Sequence, residues 1–442
     1  MNILYLCHRI PFPPNKGDKI RSFNQIRYLS ERGWSVHLCA FADEPGDMAH
    51  VDRLKEYCHT VDVLLLHRRW RVLRGAIALA AGGVLSVGYH FSGRMQERVD
   101  RVLSLYPIEA CVCFSSPMAE HLFRSRRLRG TFGARLMETS SPKSGSDAPN
   151  PQPQTSSSEL SVRPRLVMDL VDVDSSKWEL YAEQKKPPAA WLYALESKRL
   201  ARYEKRIAVA FDAVLLVSEA ERDLLRERCG SLSHRIRALP NGVDMEYFRP
   251  EAPGQDGQRN QGSRSIVFCG MMDYYPNVDA VVWFAREILP RLRDGLGAVG
   301  FRIVGARPTK EVRALQELPG VEVLGRVDDV RPFVLQADVS VAPIRIARGI
   351  QNKILEAMAM QKPVVATPQA FEGIQAQPGR DLLVAGTASA FTDAVSDFLS
   401  NPDRRARIAE NGRRFVEARH DWNHLLEGLA ELLQSSGSEA SD

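Results

Sequence analysis

The sequence has little of what zinc enzymes and secreted disulfide proteins carry. Its 442 residues include seven cysteines without a CxxC pair, and its ten histidines form no HExxH motif. Zinc sites therefore have little support, and we expect no metal or other cofactor. The odd number of cysteines, five of them inside apolar runs, favours reduced and buried thiols over a disulfide framework.

The sequence also lacks a long uncharged apolar run. The run Gly75–Tyr89 contains four glycines and is shorter than the ~20 residues that a spanning helix needs. The first residues, Met1–Leu6, lack the basic region of a signal peptide and begin a strand pattern. We therefore expect a cytoplasmic protein.

Acidic residues are scarce in the first part of the chain relative to basic ones. Residues 1–250 carry 37 Lys and Arg against 29 Asp and Glu, a balance of +8, whereas the remaining residues carry 22 against 25, a balance of −3. Short basic clusters such as Arg124–Arg129 are more typical of solvated helix faces than of nucleic-acid sites. We expect no nucleic-acid partner.

Short Val-, Ile- and Leu-rich runs alternate with amphipathic helical stretches along the whole chain, which predicts parallel sheets covered by helices. The predicted strands are Ile3–Cys7, Ser35–Ala40, Val61–Leu66, Ala110–Phe114, Leu166–Val171, Ala213–Val217, Ile266–Cys269, Phe301–Val304, Val321–Leu324, Val339–Ala342, Val364–Ala366 and Leu382–Val384. Two Rossmann-like α/β domains, facing one another across a cleft, explain this pattern most simply.

We predict an N-terminal domain at residues 1–247, a linker at 248–264, a C-terminal domain at 265–415 and a terminal helix with a polar tail at 416–442. Ser140–Glu159 contains seven Ser, four Pro and no aliphatic residue larger than Ala, so we interpret it as a disordered insertion.

The segment Ala342–Ala366 is the most informative, because it predicts a strand, a glycine-containing loop, a helix and a second strand. Unpaired amides at the start of such a helix favour a phosphate, and ligands bind at the carboxyl ends of strands in these sheets. The residues supplying these amides are Gly349, Ile350, Gln351 and Asn352. The basic residues around them are Arg345, Arg348 and Lys353. Glu356 could accept hydrogen bonds from ribose hydroxyls, and the alternative is a surface helix on which Lys353 and Glu356 form an ion pair worth about 0.2–0.5 kcal/mol.

Several segments resemble motifs of group 1, or family 4, retaining glycosyltransferases with the GT-B fold. Gly349–Ala366 is similar to their nucleotide-sugar motif, and Pro11–Arg21 is similar to their acceptor-side loop. The matching segments are Pro11–Arg21, Leu239–Asp244, Phe268–Ala280, Val323–Val327 and Gly349–Ala366. Asp169–Trp178 and Arg345–Lys353 are similar to the branch associated with PEP-CTERM/exosortase gene systems, which implies a role in exopolysaccharide assembly. The resemblance adds Gly17, Gly270 and Val327 to the expected donor-binding residues.

The chain departs from the family pattern at three places. Arg348 stands where the family usually has the first of two glutamates, and the Arg and Lys that commonly follow the Gly270 loop are missing. Arg348 and Lys353 are the expected electrostatic substitutes. Asp172 stands near the position of a common histidine and is the candidate to face the sugar or the acceptor, although it could instead cap a helix.

The resemblance implies transfer of a sugar from a nucleotide-diphosphate sugar, with retention, to a saccharide or lipid-linked acceptor. The catalytic candidates are Lys353, Arg348 and Asp172. Two alternatives stay open: a sugar-nucleotide 2-epimerase, and a non-catalytic protein that binds sugar nucleotide or polysaccharide. A dehydrogenase is disfavoured because no GxGxxG follows the first strand.

Arg68–Arg74 runs into the apolar stretch Gly75–Gly88, so this surface could lie on an anionic bilayer. The competing interpretation packs Ile77, Leu79, Val84 and Leu85 inside the domain and leaves the arginines solvated. Peripheral attachment to the inner face of the membrane is therefore one of two readings.

Overall fold

The computed structural model describes residues 1–14, 16–66, 68–130, 132, 163–250, 264–346 and 350–434. The chain divides into two units, each with its own sheet and core. Met1–Leu239 and the chain from Leu426 onwards form the first unit, and Pro240–Leu425 forms the second.

The first unit is built on a seven-stranded sheet in the order β3-β2-β1-β4-β5-β6-β7, in which all neighbouring strands are parallel. Its strands are β1 Asn2–Cys7, β2 Ser35–Ala42, β3 Thr60–Leu65, β4 Ala110–Phe114, β5 Arg165–Val171, β6 Ala213–Leu216 and β7 Ile236–Ala238. Every residue of β4 is buried, as expected for a parallel strand covered on both faces. The strand order reverses between β1 and β4, where ligands bind in such sheets.

The helices of the first unit connect these strands and cover the sheet. They are Gly17–Glu31, Val51–Leu54, Arg68–Ala80, Leu85–His90, Gly93–Leu105, Ala119–Phe123, Asp174–Gln184, Ala189–Ala210 and Glu219–Cys229, with Trp422–Gln434 entering from the second unit. Ser218 caps the helix Glu219–Cys229 by accepting a hydrogen bond from the amide of Glu221. Gly33, with φ +76°, ends the helix Gly17–Glu31 in the left-handed region, as its position predicts.

The second unit holds a parallel six-stranded sheet in the order β10-β9-β8-β11-β12-β13. Its strands are β8 Arg264–Cys269, β9 Val299–Val304, β10 Val321–Gly325, β11 Val339–Ala342, β12 Val364–Ala366 and β13 Leu383–Val384. Its helices are Tyr275–Trp283, Leu289–Leu296, Lys310–Ala314, Arg331–Gln336, Asn352–Ala359, Pro368–Phe371, Ala388–Ser400 and Pro402–Arg419. Here the order reverses between β8 and β11.

The core of the second unit positions the helix Asn352–Ala359. Its side chains Ile354, Leu355 and Met358 are fully buried, on the side of the helix that the apolar periodicity predicts. Burying this face turns Lys353 and Glu356 towards the strand ends, where both side chains are partly buried.

The structure confirms two parallel-sheet Rossmann-like domains and all of the predicted strands. It adds β7, which the sequence analysis missed because Arg237 interrupts its short apolar run. The chain passes from the first unit to the second between Leu239 and Pro240, several residues before the predicted linker, and the helix Trp422–Gln434 returns to the first unit.

Two predicted segments cannot be compared with the structure. The predicted insertion 140–159 lies outside the described residues, as do residues 251–263 of the predicted linker. Within the described ranges, no helix combines the length and the apolar character needed to cross a bilayer.

Candidate functional site

Three glycines at the carboxyl ends of adjacent strands shape the candidate site in the second unit. Gly270 follows β8, Gly305 follows β9 and Gly325 ends β10. The amide of Gly270 donates to Val304 O at 3.0 Å, and the amide of Gly305 donates to Gly325 O at 2.9 Å. A Cβ atom on Gly305 would lie 1.6 Å from Gly270 O, so the two loops approach each other in a way that only glycine allows.

The sequence analysis selected Gly270 but missed Gly305. A glycine directly after the apolar run Phe301–Val304 was the available signal, because close backbone approach at a strand end is a common reason for such a glycine. Gly270 is also crowded, since an added Cβ would lie 2.8 Å from Asn277 Nδ2 and 3.2 Å from Lys353 Nζ.

Lys353 brings its amine to these strand ends. Its Nζ donates to Asn277 Oδ1 at 2.7 Å and lies 4.4 Å from the centre of the Phe268 ring. The amide of the Asn277 side chain in turn donates to Met271 O at 2.9 Å, which fixes the orientation of the asparagine. Burial lowers the pKa of Lys353 to about 8, although the neighbouring Cys269 and Glu356 act in the opposite direction.

Glu356 lies one turn further along the same helix. Burial raises the pKa of Glu356 to about 7, and the positive charge of Lys353 opposes this shift. Together with Cys269 and Val341 the two side chains line a cavity of about 10 Å³, room for about one water molecule. Because Lys353 donates to Asn277 and not to Glu356, the alternative of an exposed i,i+3 ion pair is wrong for this helix.

The sequence analysis predicts anion-binding amides at the start of the helix Asn352–Ala359. Gln351 occupies the N-cap position with extended backbone angles, and its side chain makes no capping hydrogen bond. Asn352 Oδ1 accepts a hydrogen bond from Asn241 Nδ2 at 3.3 Å. The positive end of the helix dipole therefore lies next to Lys353, which is the second residue of this helix.

Arg345, one of the basic residues that the sequence analysis places around the predicted amides, has an acidic partner. Its guanidinium makes a two-point ion pair with Asp279, with distances of 3.0 Å and 2.6 Å, and lies 5.2 Å from the Trp283 ring centre. The hydrogen bonds that Asp279 accepts from the guanidinium raise the pKa of Arg345. Its donor-binding role remains a prediction that requires the ion pair to exchange partners.

The structure shows few contacts for the other residues that were predicted to bind the donor. Arg348 and Gly349 lie outside the described residues. Ile350 is partly buried, packs against the core and lies close to Gly373, and Val327 also packs against the core.

In the first unit, Gly17 is the first residue of the helix Gly17–Glu31. A Cβ atom added there would have no neighbour within 4 Å among the described residues, so no close contact in that part of the chain requires glycine. Asp18, the next residue, accepts from Arg9 and lies 3.4 Å from His8 Nε2. Burial raises the pKa of Asp18, but the His8 and Arg9 contacts outweigh it and hold the pKa well below its usual range.

Asp172 follows β5 and is engaged within the first unit. Its Oδ2 accepts from Lys177 Nζ at 2.6 Å, and Lys177 also reaches Asp174 at 3.3 Å. Val173 is the N-cap residue of the helix that starts at Asp174, so the interpretation of Asp172 as a helix cap is wrong. Its predicted role towards the sugar or acceptor remains untested.

A buried ion pair beneath the same strand end was missed. Arg21 Nε donates to Asp169 Oδ2 at 2.7 Å, both side chains are almost fully buried, and Gln25 donates to the same carboxylate at 2.6 Å. The signal was an Asp inside an otherwise apolar strand, since an uncompensated charge is not retained there. The backbone is strained at Val171, the last residue of β5, because its φ is +71°, a value that a β-branched residue rarely adopts.

The described residues contain no candidate metal site. No group of three His, Cys, Asp or Glu side chains in the described ranges could hold a metal ion.

The chain is similar to known glycosyltransferases in sequence. A family model described as "Glycosyl transferases group 1" matches residues 263–401, and one described as "Glycosyltransferase Family 4" matches residues 185–247. The chain is 25% identical over 255 residues to a GDP-mannose-dependent monoacylated alpha-(1-6)-phosphatidylinositol monomannoside mannosyltransferase of Corynebacterium glutamicum. It is 29% identical over 248 residues to the GDP-mannose-dependent alpha-(1-6)-phosphatidylinositol monomannoside mannosyltransferase of Mycolicibacterium smegmatis. Each match covers 52% of this chain and 64% of the relative, just under two thirds of its length.

Solved structures match over nearly the whole chain. Sucrose-phosphate synthase from Thermosynechococcus elongatus aligns with a TM-score of 0.65 and 15% identity, covering 98% of both chains. HepE of Anabaena, in complex with UDP and glucose, aligns with a TM-score of 0.62 and 16% identity, covering 99% of this chain and 100% of that one. The chain therefore has the GT-B fold of two Rossmann-like domains, with two segments that match group 1 and family 4 glycosyltransferase models.

Proposed function

We propose that this chain is a retaining glycosyltransferase that moves a sugar, a hexose in our proposal, from a nucleotide-diphosphate sugar to a saccharide or lipid-linked acceptor. One observation carries the proposal. Lys353 Nζ lies at the carboxyl end of β8, fixed 2.7 Å from Asn277 Oδ1 and beside the crowded Gly270. A diphosphate placed there would meet the positive charge of Lys353 and the amides of the helix start. It would also meet the backbone of Gly270, which has no side chain of its own.

In the proposed reaction, the bond between the anomeric carbon and the diphosphate oxygen breaks, and a bond from that carbon to the acceptor oxygen forms on the same face. The acceptor hydroxyl proton passes to the leaving diphosphate, so the step needs no protein base and no metal ion. Lys353 would stabilise the charge that develops on the diphosphate, and losing one such donor costs enzymes about 3–4 kcal/mol. Glu356 would accept hydrogen bonds from the ribose hydroxyls.

Arg348 would supply a second positive charge to the diphosphate from the loop before the helix. Asp172 would face the sugar or the acceptor, which requires it to exchange its hydrogen bond with Lys177. Retention and the two roles are supported by the resemblance of the motifs, and we extend them to this chain as part of the proposal.

The biological setting is also a proposal. Names of relatives suggest GDP-mannose as one donor to test, and the HepE complexes suggest UDP-glucose as another. Resemblance to the PEP-CTERM/exosortase branch supports a role in exopolysaccharide assembly. We place the reaction in the cytoplasm, at the inner face of a membrane that carries the lipid-linked acceptor.

The first experiment measures binding of a panel of nucleotide-diphosphate sugars by isothermal titration calorimetry, and then product formation with and without acceptors. Transfer that depends on the acceptor and keeps the anomeric configuration, followed by NMR, supports the proposal. An altered sugar nucleotide formed without acceptor would identify the epimerase instead. Donor binding without any turnover would identify the non-catalytic alternative.

The second experiment tests the site assignment with Lys353→Ala and Glu356→Ala. Each variant should lose most of the transfer activity and keep its melting temperature within a few degrees. Full turnover in either variant would show that the diphosphate binds elsewhere.

A further inference from the structure

The helix Arg68–Ala80 in the first unit presents apolar side chains to solvent. The exposed fractions are 60% for Trp70, 57% for Val72, 48% for Leu73 and 58% for Ile77. At 100° per residue, Trp70, Leu73 and Ile77 form one stripe, because they are spaced three and four residues apart. A helix that faces only water carries polar residues on this side.

Two basic side chains of this helix, Arg71 and Arg74, face the protein instead. Arg71 is only 8% exposed, and it donates to Asp43 Oδ1 at 2.5 Å and approaches His90 Nε2 at 3.0 Å. Its guanidinium also lies 4.2 Å from the Tyr89 ring centre. Arg74 donates to Phe91 O at 3.0 Å. The polarity of the helix is therefore inverted relative to an ordinary surface helix.

The helix is held firmly in this orientation. It pairs with the helix Leu85–His90 so closely that a Cβ atom on Gly88 would lie 2.3 Å from the Cβ atom of Ala78. Arg199 donates to Leu79 O at 2.8 Å and to Gly83 O at 2.9 Å, and Glu196 accepts from the amides of Leu85 and Ser86. The exposed apolar stripe is thus a consequence of specific packing.

Charge identifies the kind of surface that fits this face. From residue 66 to residue 96 the sequence has five arginines and no acidic residue, and Arg69 is exposed on the same side as Leu73. An exposed apolar stripe with a basic residue, in a segment without Asp or Glu from residue 66 to residue 96, matches an anionic lipid interface, where Trp sits at the headgroup level.

We propose that the exposed face of the helix Arg68–Ala80 lies on an anionic lipid surface, with Trp70, Leu73 and Ile77 at the headgroup–acyl boundary and Arg69 against lipid phosphates. The stripe belongs to the first unit and the diphosphate site to the second, so this proposal does not require the sugar-transfer proposal to be correct. It also reverses the sequence-based version, in which the arginines would make the contact.

The test uses the full chain and vesicles of phosphatidylcholine with and without phosphatidylglycerol. We expect the wild type to co-sediment with the anionic vesicles and to bind the neutral vesicles more weakly. Trp70→Gln/Leu73→Gln/Ile77→Gln should partition at least about tenfold more weakly, and Arg69→Gln should weaken binding to the anionic vesicles only. The matched control is Leu105→Gln, which removes an equally exposed apolar side chain, 62% exposed, from another helix and should bind like the wild type.

Folding of the triple variant is checked by its melting temperature, which should match the wild type because the three side chains are exposed. As a second measurement, brominated lipids should quench the tryptophan fluorescence of the wild type more strongly than that of Trp70→Phe. A wild type that ignores both vesicles, or a triple variant that binds as well as the wild type, would overturn the proposal. Concentration-dependent dimerisation that the triple variant loses, without vesicle binding, would also overturn it in favour of a second copy of the chain.

Discussion

Replacing Lys353 by Gln removes one positive charge from the proposed diphosphate site while keeping a hydrogen-bond donor on a side chain one bond shorter. The amide of the new side chain can still donate to Asn277 Oδ1, so the local structure should persist. Because burial lowers the pKa of the lysine to about 8, its positive charge opposes folding, and removing the charge should not destabilise the fold. The melting temperature at pH 7 should therefore change little.

Donor binding should change much more. Two unit charges 4 Å apart interact with about 4 kcal/mol at an effective dielectric constant of 20, which is an upper limit for the lysine and a diphosphate oxygen. Measured contributions of hydrogen bonds to charged groups are smaller, about 1.5–3 kcal/mol. The dissociation constant of Lys353→Gln for a nucleotide-diphosphate sugar should therefore rise about 10- to 150-fold.

Calorimetric titration with UDP-glucose and GDP-mannose provides the measurement. The control variant is Arg302→Gln, which removes a positive charge from an exposed pair with Glu322 in the same unit and should change affinity less than about twofold. Unchanged donor affinity in Lys353→Gln, or an equal loss in Arg302→Gln, would refute the assignment of the lysine to the diphosphate.

Three further predictions concern pH and stability. Donor affinity of the wild type should fall as the pH rises above about 8, by up to about tenfold per pH unit, because the anion binds the protonated Lys353; titrations of Lys353→Gln between pH 7.5 and 9.5 should be flat. Gly305→Ala should lower the melting temperature severely, since its Cβ would lie 1.6 Å from Gly270 O. Gly295 lies in the helix Leu289–Leu296, and a Cβ added there would have no described neighbour within 4 Å, so Gly295→Ala should raise stability by about 0.5–1 kcal/mol. Equal melting temperatures of the two variants would contradict this prediction. Arg21→Met should cost about 3–5 kcal/mol in urea unfolding because it strands the buried Asp169 carboxylate, and a loss below about 1 kcal/mol would show that water reaches that carboxylate.

The strands could be predicted because parallel strands buried on both faces need continuous apolar runs, which the sequence displays directly. β7 could not be predicted, because it lies at the edge of the sheet and pairs with β6 alone among the described strands. At such an edge the charged Arg237 is tolerated at the centre of the strand. The return of the helix Trp422–Gln434 to the first unit was also beyond sequence reasoning. Its apolar stripe indicates that it is buried, but not against which unit.

The residues of the candidate site that lie on one helix could be selected from the sequence. Their partners from distant parts of the sequence could not. Lys353 and Glu356 follow from helical periodicity and the strand end before them. The partners Asn277 and Asp279 lie more than sixty residues away in sequence, so nothing local showed that Asn277 would fix Lys353 or that Asp279 would hold Arg345. A charge count treats every arginine as able to bind a ligand. Ion pairs within the fold decide which arginines are left to do so.

The helix Arg68–Ala80 shows the same effect in its strongest form. Sequence reasoning often assumes that charged residues face water and apolar residues face the core, and the interpretation that packed Ile77 inside the domain kept that assumption. It fails here because Asp43 and His90 give Arg71 internal partners, while the close approach at Gly88 fixes which side of the helix is covered. Once those contacts orient the helix, Trp70 and Ile77 have to face outwards. Removing Arg71 would thus disturb the fold before it tested any surface, and only substitutions in the exposed stripe separate docking from stability.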